Sequence, residues 1–201
     1  QAMRVKDKFL EKNSCIFLLL VVALFSKCVA SEEVDLRLFN YNQNLKNTSA
    51  FFIQTDGDTI EEGEIYVGSE RVRVEYNEPE KISLVLSKKK SMYVNHELRE
   101  TEFFNTNKSI VNIFFKILVG ENAFENSSVT YQEDKIIIKN SYEIEGVFYS
   151  VEVLYENNPI ILRKIKLKEK SRDFEISFFN HKIVEEMGKK FFALINPYQN
   201  N

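Results

Sequence analysis

The chain has 201 residues, with 27 basic and 30 acidic side chains and a formal net charge of −3. Residues 1–30 hold five of the basic and two of the acidic residues, so residues 31–201 carry 22 basic and 28 acidic side chains and a net charge of −6. This acidic balance argues against a protein that binds nucleic acid through the phosphate backbone.

The first thirty residues have the composition of a secretory signal. Four basic residues between Arg4 and Lys12 precede an apolar run from Cys15 to Phe25, and small residues occupy the positions before a cleavage site after Ala30. The apolar run is shorter than an ordinary membrane span. We therefore expect residues 1–30 to be a cleaved signal peptide and residues 31–201 to form a single domain. The alternative is an uncleaved N-terminal anchor.

Both cysteines, Cys15 and Cys28, lie within this signal. Lys27 stands where a lipid-attachment signal needs a small neutral residue, so we do not expect acylation of Cys28. Cleavage after Ala30 removes both thiols. It therefore excludes disulfides, thiolate metal sites and cysteine nucleophiles from the mature chain.

Two segments have helical periodicity. The first places Val34, Leu38, Tyr41 and Leu45 on one apolar stripe, and the acidic residues at its start suit the helix dipole. The second segment, residues 109–118, is apolar over most of its girth. We expect this second helix to be buried or to cover an apolar surface.

Most of the remaining chain alternates between polar and apolar residues, which is typical of strands with one solvated face. Turn residues such as Asp56-Gly57-Asp58 separate these stretches at the spacing of antiparallel hairpins. The sequence therefore predicts a mainly β fold with a few helices. The predicted strands are 50–55, 64–67, 71–76, 81–87, 92–95, 100–105, 128–132, 135–139, 147–155, 160–167, 173–179 and 190–195.

The aromatic content is high, with 17 Phe and nine Tyr but no Trp. Two interpretations are open. In the first, these side chains fill an ordinary sheet core. In the second, the sheet curls around a cavity and the same side chains line it.

No pattern typical of catalysis or metal binding is present in the sequence. His96 and His181 are the only histidines, they lie outside metal-ligand spacing, and we expect each in a loop or at the surface. Nucleophile-elbow, zinc-protease and phosphate-loop motifs are absent. The run Lys88-Lys89-Lys90 is predicted at a hairpin tip, either as a solvated turn or as a contact with an anionic lipid surface or acidic partner. We expect neither an enzyme nor a cofactor.

A succession of motifs follows the first helix. Ala50–Thr55 precedes a glycine-led strand, Gly63–Val67, then a strand ending in tyrosine, Arg71–Tyr76, then a proline and a strand closing on serine, Leu84–Ser87. The chain ends with Phe191–Pro197. In this order the motifs resemble the LolA family, the periplasmic carriers of outer-membrane lipoproteins, over nearly the whole mature chain.

The resemblance implies an incomplete antiparallel β-barrel (half-barrel) of about 11 strands, capped by α-helices and enclosing an apolar cavity for acyl chains. It implies a monomeric periplasmic carrier that takes acylated lipoproteins from an inner-membrane releasing complex to the outer membrane, with or without an acceptor there. It implies that the underside of the lid is formed by Leu38, Tyr41, Leu45, Ile110, Phe114 and Ile117. It implies that the sheet lining is formed by Phe52, Ile65, Val67, Val72, Val74, Tyr76, Leu84 and Leu86.

The sequence departs from the family at the lid latch. The family has Arg-Pro before its aromatic strand, and that arginine is held to latch the lid. Here the matching stretch is Gly68-Ser69-Glu70, and alternation predicts that the nearby Arg71 and Arg73 point to solvent.

Two other functions are compatible with the same half-barrel. One is a lipid or lipoprotein sensor of the envelope stress response. Such a sensor carries an additional domain, for which we expect 171 residues to leave no room. The other is an acceptor anchored in the outer membrane, which the absence of a lipid-attachment signal disfavours.

Overall fold

The computed structural model describes residues 30–120, 124–170, 172–185 and 187–199. Apart from Ala30, the predicted signal peptide therefore lies outside the described residues. The described residues divide into two units, one that ends at Leu38 and one that begins at Phe39, and the described part of the first belongs to one helix. Among the described residues, no helix is both long and apolar enough to cross a membrane.

Two helices and eleven strands make up the described chain, so the predicted mainly β fold is confirmed. Helix α1 is Ala30–Gln43 and helix α2 is Val111–Val119, and a single 3-10 turn, Thr106–Lys108, precedes α2. The strands are β1 (Thr48–Thr55), β2 (Ile60–Val67), β3 (Arg71–Glu78), β4 (Ile82–Ser87), β5 (Lys90–Asn95), β6 (Glu100–Asn105), β7 (Ser128–Tyr131), β8 (Lys135–Ile144), β9 (Val147–Asn157), β10 (Ile160–Glu169) and β11 (Arg172–Ile183).

All eleven strands belong to one antiparallel sheet, in the order β6-β5-β4-β3-β2-β1-β11-β10-β9-β8-β7. Each strand pairs with its neighbour in sequence, except that β1 pairs with β11 and β6 does not pair with β7. The first and last strands thus lie at the centre of the sheet, while β6 and β7 are its ends. The predicted incomplete barrel is confirmed.

Alternation along the strands gives the sheet two distinct faces. We call the face that carries Phe52 the inner face. Its register across the strands places apolar residues opposite one another, as in the pairs Ile65↔Val74 and Ile165↔Ile176. These inner-face residues form the core, with side chains that are almost wholly buried on β8 to β10, such as Ile138 and Val153.

The C-terminal segment crosses the outer face, and it is not a strand. Residues 190–195 were predicted as the last strand, but residues 190–192 form a turn and residues 193–195 have no regular secondary structure, because β11 already occupies the place beside β1. The backbone carbonyls of this segment bind side chains instead. Arg71 Nη1 donates to Phe192 O at 2.5 Å, and Arg73 Nη1 donates to Phe191 O at 2.8 Å.

These contacts correct the predicted orientation of both arginines. Arg73 lies over the Phe191 ring, 4.9 Å from its centroid, and also forms an ion pair with Glu75. The two guanidinium groups therefore anchor the C-terminal segment, and both arginines are only partly exposed to solvent. Further along, Leu194 and Tyr198 of the same segment pack on a buried outer-face cluster formed by Val85, Met92 and Val94.

Gly63 allows an aromatic ring to lie directly against the inner face of β2. A Cβ at this position would lie 2.1 Å from the Glu75 carbonyl oxygen and 2.7 Å from Cε1 and Cζ of Phe52. The Phe52 ring makes an edge contact with Tyr76, with centroids 5.1 Å apart, across the position of Gly63. The missing side chain is therefore required by packing.

We predict that Gly63→Ala destabilises the protein by about 1–3 kcal/mol, because the added methyl must displace backbone or the Phe52 ring. The matched control is Gly188→Ala, where a Cβ meets nothing within 4 Å. The free energy of unfolding, from urea titration followed by circular dichroism, measures both. Equal stability of the two variants would show that β2 tolerates a side chain at Gly63.

Candidate binding cavity

A cavity of about 200 Å³ lies between helix α2 and the inner face of the sheet. Its floor comes from strands β1 to β4 and β11, and its roof from α2 and the residue before it. The residues that line it are Phe52, Gln54, Ile65, Val74, Tyr76, Leu84, Leu86, Ile110, Val111, Phe114, Leu118, Phe174, Ile176 and Phe178. Apart from Gln54 and the Tyr76 hydroxyl, every lining side chain is apolar.

Helix α2 supplies the roof because it is apolar on nearly every side. Phe114 and Leu118, one turn apart, face the cavity, while Ile113 and Ile117 are buried elsewhere against the protein. The helix ends at Gly120, whose φ of 78° is the left-handed conformation that favours glycine. The expectation that this segment covers an apolar surface is met in the structure.

The floor depends on the pairing of β1 with β11. This pairing sets Phe52 opposite Phe178 and Gln54 opposite Ile176. Alternation on β11 then adds Phe174 to the same face. Three apolar side chains from the end of the chain thus complete a surface that begins near residue 50.

One end of the cavity is polar. The Tyr76 hydroxyl donates to Gln54 Oε1 at 3.1 Å, and Gln54 Nε2 donates to Glu61 on the neighbouring strand. Burial raises the pKa of the Tyr76 hydroxyl, which therefore stays neutral as a donor. Burial also raises the pKa of Glu61, and the nearby charges of Asp56 and Glu80 add to this effect, while the hydrogen bond from Gln54 opposes it.

Eight of the fourteen residues that the family resemblance assigned to the acyl-chain site line this cavity. They are Phe52, Ile65, Val74, Tyr76, Leu84, Leu86, Ile110 and Phe114.

The other six are not part of the cavity lining, although five of them are buried and Tyr41 is partly buried. They are Leu38, Tyr41, Leu45, Val67, Val72 and Ile117.

Three of these six differences, those at Val67, Val72 and Ile117, have local reasons. Val67 and Val72 form a cross-strand pair on the inner face, one step beyond Ile65 and Val74 and away from the cavity. Ile117 was assigned from a stripe with a seven-residue repeat, but the cavity side of α2 follows a four-residue row. A helix that is apolar on most sides does not reveal in its sequence which side faces a cavity.

The residues at the C-terminal end of α1 fill the other half of the inner face. The Tyr41 ring makes an edge contact with the fully buried Tyr155, at a centroid distance of 5.7 Å, and its hydroxyl accepts a 2.8 Å hydrogen bond from the Leu162 amide. Tyr155 in turn donates to Asn42 Oδ1 at 3.3 Å, and Phe124 contacts its other side. Tyr41 is therefore a packing residue above β9 and β10.

Six cavity residues were not predicted. They are Gln54, Val111, Leu118, Phe174, Ile176 and Phe178. The alternation of Phe174, Ile176 and Phe178 was visible within a predicted strand, but nothing local in the sequence identified β11 as the partner of β1. Gln54 follows Phe52 by two positions, so the same alternation places it on the inner face.

The two histidines occupy different environments. His96 lies in the turn after β5, where its Nε2 contacts Ser83 Oγ at 2.6 Å and its Nδ1 contacts the Tyr198 hydroxyl at 2.7 Å. His181 is in strand β11 and is partly buried, so it does not lie in a loop, which was one of its two predicted positions. No group of three or more His, Cys, Asp or Glu residues in the described part of the chain is placed to hold a metal ion.

Comparisons with known proteins relate the chain to others by structure alone. No protein-family model matches it, and no curated protein matches it in sequence. An uncharacterised conserved protein from Thermus thermophilus superposes with a TM-score of 0.55 at 10% identity, over 84% of this chain and 97% of that one.

The crystal structure of MucB superposes with a TM-score of 0.51 at 8% identity, over 84% of this chain, and the chain spans 63% of the length of MucB. The complex of MucA and MucB from Pseudomonas aeruginosa gives a TM-score of 0.46 at 9% identity, over 78% of this chain and 58% of that one. At these identities the likeness establishes the fold alone. The half-barrel is thus shared with known proteins.

His181 should make the stability of the folded protein depend on pH. Burial lowers its pKa, a hydrogen bond with the Leu162 backbone opposes this, and the positive charge of Arg163 lowers it further. Because the folded pKa lies below the ordinary value of 6.5, the unfolded chain binds more protons as the pH falls through 6.5, and the folded state loses stability.

We predict that His181→Gln loses less stability than the wild-type protein between pH 7.5 and pH 5. The measurement is the difference in unfolding free energy between the two proteins, from urea titrations at each pH. If the unfolding free energy of both proteins depended on pH in the same way, the lowered pKa assigned to His181 would be wrong. Titration of the His181 ring by NMR gives the pKa directly as a second test.

Proposed function

We propose that this protein binds the acyl chains of lipoproteins in its cavity and carries them through the periplasm to the outer membrane. The observation that carries the proposal is the composition of the cavity, whose lining is apolar except for Gln54 and the Tyr76 hydroxyl. The proposed activity makes and breaks no covalent bond, so it is binding and not catalysis.

The free-energy cost of moving an acyl chain from a membrane into water explains why a carrier needs an apolar lining. Each methylene group that leaves a membrane for water costs about 0.8 kcal/mol. A carrier must therefore cover most of the methylene groups of its cargo. The surface formed by Phe52, Phe178 and the neighbouring aliphatic residues offers an apolar environment in exchange for the membrane.

The volume of the cavity implies that α2 moves. Sites for ordinary small-molecule ligands have volumes of about 300–1,000 Å³, whereas this cavity has about 200 Å³. An apolar cavity of about 150 Å³ is filled by one benzene molecule. The described state therefore admits only part of an acyl chain, and full binding requires the roof to separate from the floor.

Helix α2 is suited to this movement. It is only nine residues long, it packs on β3 and β4, and it takes no part in the sheet hydrogen bonds. When α2 lifts, the inner face loses the apolar cover of Phe114 and Leu118, and an acyl chain replaces that cover. We therefore assign α2 the role of a lid. Leu38 and Tyr41 are the α1 residues that the resemblance placed in the lid, and of these Tyr41 is fixed on β10 instead.

The cellular setting in this proposal rests on the sequence. Export follows from the predicted signal peptide, and the resemblance to the LolA family supplies the inner-membrane releasing complex as donor. The acidic net charge disfavours nucleic acid as a partner. We propose a monomer as the working form.

A lipid or lipoprotein sensor is the second candidate. Its support is the fold likeness to MucB, for which a complex with MucA is known. Both functions use the same cavity, and they differ in what happens to the cargo. A carrier releases a bound lipoprotein to acceptor membranes, whereas a sensor retains the ligand and changes its affinity for a protein partner.

We predict that Phe114→Asp abolishes lipoprotein binding while the sheet stays folded, because a carboxylate in the roof opposes burial of an acyl chain. The assay is native mass spectrometry of the mature protein with a triacylated lipoprotein in detergent-free buffer. The wild-type protein should give a soluble one-to-one complex. The Phe114→Asp variant should give none and should keep the circular dichroism of the wild type.

The matched control is Phe148→Asp, because Phe148 is 65% exposed and lies near the tip of the β8–β9 hairpin, away from the cavity lining. This variant should bind as the wild type does. Normal binding by Phe114→Asp would show that α2 is not the lid. If the wild-type protein retains free lipid and binds no lipoprotein, the carrier function is wrong.

A further inference from the structure

The end of the cavity at Gln54 differs from the rest in both polarity and charge. On the inner face, Gln54 links the Tyr76 hydroxyl on one side to the Glu61 carboxylate on the other. We call these three residues the polar mouth. The apolar lining explains where an acyl chain lies, but it gives no role to the partly buried Glu61 carboxylate and the hydrogen bonds that lead to it.

Turn residues add negative charge beside the polar mouth. The β1–β2 turn and the β3–β4 turn lie at the same end of the sheet, because β1, β2, β3 and β4 are consecutive antiparallel strands. Residues 56–62 and 77–81 contain six acidic residues and one basic residue, Lys81. Asp56 and Glu80 are close enough for their negative charges to raise the pKa of Glu61.

The polar mouth also has more hydrogen-bond acceptors than donors left for a ligand. The Tyr76 hydroxyl proton and one Gln54 N–H are used within the network, which leaves one Gln54 N–H as a free donor. The acceptors that remain are more numerous: the second lone pair of Gln54 Oε1 and several lone pairs of the Glu61 carboxylate. A polar group that arrives here should therefore donate hydrogen bonds.

We propose that the polar mouth selects acyl chains whose head group donates hydrogen bonds and carries no negative charge, and that it rejects carboxylate and phosphate head groups. An amide-linked chain fits this description, and so does a chain on a hydroxyl-bearing or ammonium head. The inference rests on the proposed function, because it assigns the head-group specificity of the same cavity.

Like charges explain the rejection. A carboxylate at the mouth would lie beside Glu61 in a partly desolvated site, where like charges repel more strongly than they do in bulk water. Solvent at the mouth reduces this repulsion, and we expect about a tenfold or greater loss of affinity. The same carboxylate would also leave the free acceptors of the mouth without donors.

The test uses three ligands with the same twelve-carbon chain: dodecanoate, monododecanoylglycerol and dodecylammonium, whose primary ammonium head carries three N–H donors. Their affinities for the mature protein are measured by isothermal titration calorimetry at pH 7.5, below the micelle concentration of each. The glycerol ester and the cationic ligand should each bind at least about tenfold more tightly than dodecanoate.

Glu61→Gln removes the charge but keeps an acceptor for the Gln54 amide, so the fold should be preserved. This variant should bring the affinity for dodecanoate to within about threefold of that for the glycerol ester. The matched control is Glu70→Gln in the exposed β2–β3 turn, at the opposite end of the same strands. It should keep the discrimination of the wild type. Glu80→Gln should give an intermediate result.

The outcomes separate this inference from the function on which it rests. Equal binding of all three ligands by the wild type, or unchanged discrimination in Glu61→Gln, would overturn the head-group inference while the cavity remains an acyl-chain site. Loss of discrimination in Glu70→Gln as well would show that net charge, and not the mouth, is responsible. If none of the three ligands binds, the inference and the acyl-binding function are both wrong.

Discussion

The pairing of β1 with β11 is the contact on which the cavity depends. It joins the beginning and the end of the described chain at the centre of the sheet, and it brings together the two sets of strands that extend to β6 and to β7. Without it, Phe52 and Phe178 would not be neighbours and the floor would lack its β11 side. Such a non-local contact is entropically costly to form, because a long loop must close before the pair is made. The other strand pairs of the sheet join neighbours in sequence, and these need no such closure.

The sequence predicted most of what is local and missed what is not. Alternation located all eleven strands, because each has one apolar face and most are bounded by turn residues. It failed at residues 190–195, which are as apolar as a strand but have no free sheet neighbour. It also failed for Arg71 and Arg73, since a polar position on a strand is taken as solvated unless the segment that covers it is known. The alternation of polar and apolar residues identifies the two faces of a strand, but it does not identify which segment packs against each face.

The site was predictable to a similar extent. The inner-face residues of β1 to β4 follow from alternation together with the resemblance, so Phe52, Ile65 and Leu84 were assigned to the side where the cavity lies. The contribution of β11 required knowledge of a pairing partner more than a hundred residues away. The displacement of Tyr41 from the cavity to Tyr155 required knowledge that two antiparallel halves of one sheet are covered by different helices. In both cases the information is tertiary, and no window of sequence contains it.

The polar mouth and the apolar roof act on different parts of a bound ligand, the head group and the acyl chain, and both limit the affinity. In the structure, Phe114 and Leu118 already cover part of the apolar floor that a bound acyl chain would cover. The favourable burial of a ligand is therefore offset by the loss of burial of α2, and the net affinity is the difference between two similar terms. A site that binds and later releases its cargo needs such a difference. In the proposed function, the α2 lid supplies this difference for the acyl chain, while the Glu61 carboxylate, which accepts a hydrogen bond from Gln54, acts on the head group. Substitutions in α2 should therefore alter the affinity for the acyl chain, and substitutions in β2 should separately alter the preference for head-group charge.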